Sequence, residues 1–248
     1  MDWIADPQAW IAFLTLVALE IVLGVDNIVF ISILAGKLPA GRRNRARYVG
    51  LALALVMRII LLFSLSWVIA LTEPLFAVRQ HEISGRDLIL IVGGLFLLAK
   101  ATFEIHENLE GERGRASAKV APTFTSVIVQ IFLLDAVFSL DSVITAIGMV
   151  EQIEIMVAAV TVAIIFMMIF AAPVARFVQR HPTVKMLALS FLLLIGLTLI
   201  VEGFDIHIPK GYIYFAMGFS VFVEMLNLRL RGKSPPVSLH ERYAADNG

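Results

Sequence analysis

The chain alternates between long apolar runs and short polar clusters. Seven runs read as membrane-spanning helices, at approximately 11–35, 49–71, 87–104, 124–149, 154–173, 184–202 and 212–229. A helix that crosses the hydrocarbon layer needs roughly 20 mostly apolar residues, and the third run is short. The pattern predicts an all-α, polytopic membrane helix bundle of about seven transmembrane helices. The loops are too short to hide a soluble domain. One transmembrane domain is therefore expected over residues 1–231, followed by a short cytoplasmic tail, 232–248.

Composition agrees. Of 248 residues, 59% are hydrophobic and 16% charged, with a mean hydropathy of +0.88. A soluble domain usually carries about 25% charge, spread along the chain. The start, "MDWIADPQAW", is acidic and lacks a basic n-region, so the first span is expected to be retained rather than cleaved. Cysteine is absent, which removes disulfides and thiolate metal ligands.

The zero net charge hides a spatial bias. Lys37, Arg42, Arg43, Arg45 and Arg47 follow the first span; Arg113, Arg115 and Lys119 follow the third. Arg176, Arg180 and Lys185 follow the fifth, and Arg229, Arg231, Lys233 and Arg242 lie at the end. The alternate loops hold only Arg79, Arg86 and Lys210. Basic residues accumulate in short cytoplasmic loops. The expected topology has the N-terminus outside and the C-terminus in the cytoplasm.

Two segments resemble each other. "LEIVLGVDNIVFI" (Leu19–Ile31) aligns with "LDAVFSLDSVITA" (Leu134–Ala146) at a constant offset of 115. Glu20 matches Asp135, Asp26 matches Asp141, and Asn27 matches Ser142. A second echo links "FEIH" (Phe103–His106) to "FDIH" (Phe204–His207), each expected just past the end of a third span. The chain thus reads as two three-helix repeats, about 11–104 and 124–202, plus a seventh helix at about 212–229. The first and fourth spans cross in opposite directions, so the repeats are inverted. Inverted repeats recur in secondary transporters with the site at the midplane. Inversion places Glu20 level with Asp141, and Asp26 level with Asp135.

An ionised carboxylate in the bilayer costs a few kcal/mol and normally faces a cavity or a partner. Arg58 and Lys100 are the available internal cations, although Lys100 is also placed to snorkel toward an interface. Two bases against four acids leave negative charge unmatched. A bound divalent cation would balance it, as would protonation, so that cation and protons would compete for one site. Glu20, Asp26, Asn27, Asp135, Asp141 and Ser142 are all oxygen donors, suited to Mg²⁺, Ca²⁺ or Mn²⁺. The five histidines fall in loops, at span ends or in the tail, which argues against zinc or copper in the core. Glu20 and Asn27, seven apart, share a helix face, while Asp26 points about 120° away from Glu20. Gly24 lies between the acids, where it permits either a break in the helix or close packing. Ser139 holds a similar place in the fourth span. Glu202 is expected to reach headgroups, and Glu224 to pair with Arg229 or Arg231.

At "EIVLGVDNIVF" (Glu20–Phe30) and "LLDAVFSLDSVITA" (Leu133–Ala146) the chain resembles the TerC family of integral membrane proteins. The resemblance covers nearly the whole chain. "ISGRDLILIVGGLFLLAKATFEIHENLEG", "HPTVKMLALSFLLLIGLTLIVEGFDIHIPKGYIYFAMGFS" and "FVEMLNLR" look like its YgdQ-like branch. The resemblance implies a seven-span protein of the bacterial inner membrane, related to the LysE transporter group, whose characterised relatives export manganese. It implies that Glu20, Asp26, Asn27, Asp135 and Asp141 carry the family's acidic motifs; Ser142 stands where repeat symmetry would put Asn. The cytoplasmic CBS and transporter-associated modules of larger relatives are not seen in this sequence.

The expected function is divalent cation transport, Mn²⁺ export first, by a protein that is not an enzyme and carries no catalytic cofactor. Its partners would be the cation and membrane lipid, not nucleic acid, and a homo-oligomer is left open. Two other readings use the same acids. An intramembrane aspartyl protease would need two buried Asp residues as acid and base; Asp26 and Asp141 could serve, but two further acids would lack a role. A non-transporting assembly or scaffold protein would use the acids for packing alone.

Overall fold

Asp6 caps the first helix by accepting a hydrogen bond from the Gln8 amide at 2.9 Å, and Pro7 takes the first helical position. This cap satisfies an amide that the helix cannot, and proline's fixed φ suits the first turn. In the computed structural model, which describes residues 6–64, 68–69, 71–78, 81–110, 122–147 and 152–230, seven helices follow. They are α1 Pro7–Gly36, α2 Ala40–Phe63, α3 Gly85–Leu109, α4 Phe124–Ile147, α5 Ile153–Arg180, α6 Pro182–Glu202 and α7 Lys210–Leu230. Six are long and apolar enough to cross a membrane, and α4 carries a shorter apolar stretch, Phe124–Leu140. The fold is the expected all-α membrane bundle.

Several boundaries differ from the sequence expectation. Helix α2 begins at Ala40, nine residues before the predicted start, so Arg42, Arg43, Arg45 and Arg47 occupy its first two turns. Charge marks where a helix leaves the hydrocarbon, not where its hydrogen bonds end. Arg43 Nε donates to the Leu38 carbonyl at 2.7 Å, which fastens the tight turn between α1 and α2. The third span is full length, 25 residues. A capping box sets its start: Ser84 Oγ accepts from the Asp87 amide at 3.2 Å, and Asp87 Oδ2 accepts from the Ser84 amide at 2.9 Å.

Ahead of that cap lies an antiparallel hairpin that the apolar pattern did not announce. Strands β1 (Pro74–Val78) and β2 (His81–Ser84) pair Val78 with His81 and Phe76 with Ile83. The FEIH/FDIH echo also separates. Phe103–His106 lies inside α3, whereas Phe204–His207 follows the end of α6. Gly203 terminates α6 and Asp205 takes a left-handed backbone, φ 60°. The corresponding position before "FEIH" is Thr102, which continues the helix.

Two compact units divide these elements. The first holds α1, α2, α4 and α5 as far as Val174. Within it, α2 packs on α4, and α1 packs on both. Gly50 of α2 faces Ile131 of α4, and eight residues further along each helix Arg58 Nε donates to Ser139 Oγ. The contacts advance together, so α2 and α4 run parallel. Helix α1 is unbroken through Gly24, where a Cβ would collide with Met167 of α5. Of the two roles open to this glycine, the structure displays close packing.

The second unit holds the hairpin, α3, α6, α7 and the end of α5. A Cβ on Gly94 would lie 2.5 Å from the Gly196 carbonyl, and one on Gly196 would lie 3.0 Å from the Gly94 carbonyl. Gly203 approaches the Asp87 carbonyl at the other end. Contacts move down α3 as they rise along α6, so these helices are antiparallel. Small residues that let backbones meet are the usual adhesive between helices in lipid, where apolar burial supplies no drive. Helix α7 packs on α6 and buries Met217; Tyr212, Phe215 and Phe219 stay on its exposed side.

Gly94→Ala should force α3 and α6 apart and lower stability by about 1–3 kcal/mol, the usual cost of overpacking. Gly41→Ala, where nothing lies within 4 Å of the added carbon, should leave stability unchanged or slightly raised. Thermal unfolding of both variants in detergent checks the pair; equal midpoints would refute the close contact.

Candidate functional site

Arg58 is 1% exposed and sits five residues before the end of α2, inside the first unit. A guanidinium in such a place needs hydrogen-bond acceptors and opposite charge. It finds both on the two neighbouring helices. Nη1 forms an ion pair with Glu20 Oε2 of α1. Nη2 lies 3.8 Å from Asp135 Oδ1 of α4. Nε donates to Ser139 Oγ at 3.2 Å, and that hydroxyl donates to Asp135 Oδ2 at 3.0 Å. Ser139 thus stands between cation and anion, four residues from Asp135 on the same helix face.

The sequence-predicted residues divide around this cluster. Glu20 and Asp135 are brought together by the guanidinium. Asn27 and Ser142 are buried on the same two helices, and Ser142 Oγ donates to the Ser139 carbonyl at 3.2 Å. The side chains of Asp26 and Asp141 lie outside the described residues. The layer expectation set Glu20 beside Asp141 and Asp135 beside Asp26. The arginine fork instead spans from Glu20 toward Asp135, a length that level-matching of the acids alone left out. Among the described residues, no three His, Asp or Glu side chains converge as a ready metal cage.

Ser139 is the residue that sequence reasoning undervalued. It was noted as the counterpart of Gly24, a place for a break. Its i+4 spacing from Asp135 is the signal for its hydrogen-bonding role.

Other polar residues depart from expectation in the second unit. Lys100 pairs with Glu104, one turn on, at 3.1 Å, and Glu104 is buried. Lys185 Nζ donates to Asn108 Oδ1 at 2.6 Å, joining α6 to α3. Glu202 is buried between packed helices rather than extended to headgroups. Glu224 accepts from Thr183 Oγ1 at 2.5 Å, a bond from α6 to α7; Arg231, one of its two expected partners, lies outside the described residues.

The family model described as "Integral membrane protein TerC family" matches residues 5–234. This chain belongs to the TerC family. It is 58% identical over 233 residues to the UPF0053 inner membrane protein YgdQ of Escherichia coli K12, covering 94% of this chain and 98% of that one. A UPF0053 protein of Haemophilus influenzae is 56% identical over 231 residues, covering 93% of this chain and 98% of that protein. The E. coli K12 UPF0053 inner membrane protein YoaE is 54% identical over 228 residues, 92% of this chain and 44% of its own. No solved structure matches. The TerC chain is thus an integral membrane protein whose acids meet on an internal arginine.

Arg58→Met alone should strand two buried carboxylates and lower stability by about 3–5 kcal/mol, whereas Glu20→Gln, which leaves Arg58 opposite Asp135, should cost less. The double variant should lose less than the sum, because the partners go together. Unfolding of the four proteins in detergent measures the coupling; additive losses would refute a direct Glu20–Arg58 pair.

Proposed function

We propose that this TerC protein is a divalent-cation transporter of the bacterial inner membrane, exporting Mn²⁺ from the cytoplasm. The observation that carries the reading is the pair of buried carboxylates, Glu20 and Asp135, held on two packed helices around a single guanidinium. One positive against two negative charges leaves an excess that a transported cation can satisfy. The donors are oxygens throughout, with Asn27 and Ser142 nearby in sequence, which favours Mn²⁺, Mg²⁺ or Ca²⁺ over zinc or copper. Asp26 and Asp141 complete the proposed ligand set from the repeated motifs, and protons compete with the cation for these carboxylates. The inner-membrane location is carried over from the similar inner membrane proteins YgdQ and YoaE.

The repeats are proposed to be inverted, with the N-terminus outside and the C-terminus cytoplasmic. The close approach of α3 to α6 at Gly94 and Gly196 supports this arrangement, since it sets the third helix of one proposed repeat against the third helix of the other. Parallel α2 and α4, and antiparallel α3 and α6, agree with helices that alternate in direction along the chain.

Cells lacking the protein should accumulate more Mn²⁺ than cells carrying it, by about twofold or more if it is a principal exporter. Asp135→Asn and Asp141→Asn should restore neither export nor tolerance, while protein abundance in the membrane stays near wild type. Metal content measured alongside abundance decides. Full export by both variants would refute the assignment, and loss of the protein itself would favour a packing role for the acids.

A further inference from the structure

A divalent cation bound by Glu20 and Asp135 needs the oxygens that now face Arg58. The guanidinium reaches Glu20 through Nη1, lies 3.8 Å from Asp135 Oδ1 through Nη2, and donates through Nε to Ser139. These contacts are uneven. An arginine–carboxylate pair built only for stability closes best as two parallel N–H···O bonds. Asp135 instead meets the arginine at the edge of ion-pair range and gives its other oxygen to the Ser139 hydroxyl at 3.0 Å.

Charge adds a direction. Glu20, Asp135 and Arg58 together carry one net negative charge. When a divalent cation enters, the same three side chains and the ion carry one net positive charge, so ion and guanidinium repel each other and cannot both sit on Glu20 and Asp135.

Resting on the cation reading above, we propose that Arg58 is a tethered competitor of the transported ion. It occupies Glu20 and Asp135 in the metal-free state, leaves them as the ion binds, and returns to drive the ion out. Ser139 is its positioning residue, holding Nε and steering Asp135. Arg58 thereby sets affinity and release in opposite senses. Without it the site would hold its cation too firmly to turn over.

The test is Mn²⁺ binding by the purified full chain, with Mn²⁺ flux measured after reconstitution into vesicles. Arg58→Gln should bind Mn²⁺ about tenfold more tightly or better, because a positive charge within a few ångströms has been removed. Its maximal flux should fall while half-saturation shifts to lower Mn²⁺. Arg58→Lys, which keeps the charge without the fork, should lie between it and wild type. Ser139→Ala, a smaller change, should tighten binding by about two- to fivefold, since it releases both Arg58 and Asp135. If wild type binds none of Mn²⁺, Mg²⁺ and Ca²⁺, the cation reading itself fails. If wild type binds but a folded Arg58→Gln binds equally or more weakly, the competitor role is overturned. Should Arg58→Gln not fold, Ser139→Ala decides: tighter binding supports the role, unchanged or weaker binding overturns it.

Discussion

A guanidinium buried inside a membrane helix bundle must have its countercharges within reach, because a charge taken out of water and left alone is costly. Arg58 imposes that condition on three helices at once. Glu20 fixes the rotation of α1, Asp135 and Ser139 fix that of α4, and α2 runs parallel to α4 so that Gly50 meets Ile131 where Arg58 meets Ser139. Apolar contact alone could not specify this register, since a leucine is as well solvated by lipid as by another leucine. The charged cluster is therefore the orientation device of the first unit, and under the proposed function it is also where the cation would bind.

The second unit solves the same association problem with different means. Gly94 and Gly196 bring the α3 and α6 backbones together, and polar bonds are placed along the seam, with Asn108 and Lys185 at one end. Lys100 is matched within its own helix by Glu104. Glu224 is held by Thr183, which ties α7 to α6. These acids have local structural partners, whereas Glu20 and Asp135 share one cation between them. That contrast separates the candidate site from the other acidic residues of the membrane region.

Much of the fold was legible because membrane spans advertise themselves. A helix in lipid must satisfy its backbone internally and display apolar side chains, so its length can be counted directly. The exact ends were less legible. At α2 the arginines obscured a helix that continues into the polar zone, and at α3 the polar run "IHENL" did the same. The hairpin Pro74–Ser84 is short and mixed in character, and no periodicity marks it. At the site, the repeated motifs drew attention to Glu20 and Asp135 because acids are scarce in apolar helices, and the structure brings both to Arg58. Their meeting through Arg58 could not be derived by stacking levels, since the reach of one long side chain replaces several ångströms of helix rise. Gly24 allowed two readings from sequence alone, and only the position of Met167 distinguishes them.

Under the proposed function, the acids around Arg58 form a cation site, and the arginine is its resident counter-ion. Electron paramagnetic resonance of free Mn²⁺, titrated with the purified protein, tests this most directly, since bound metal leaves the free-ion signal. The account predicts saturable loss of signal with wild type and its disappearance in a folded Glu20→Gln/Asp135→Asn variant. An undiminished signal with wild type, or equal binding by the folded double variant, would contradict it.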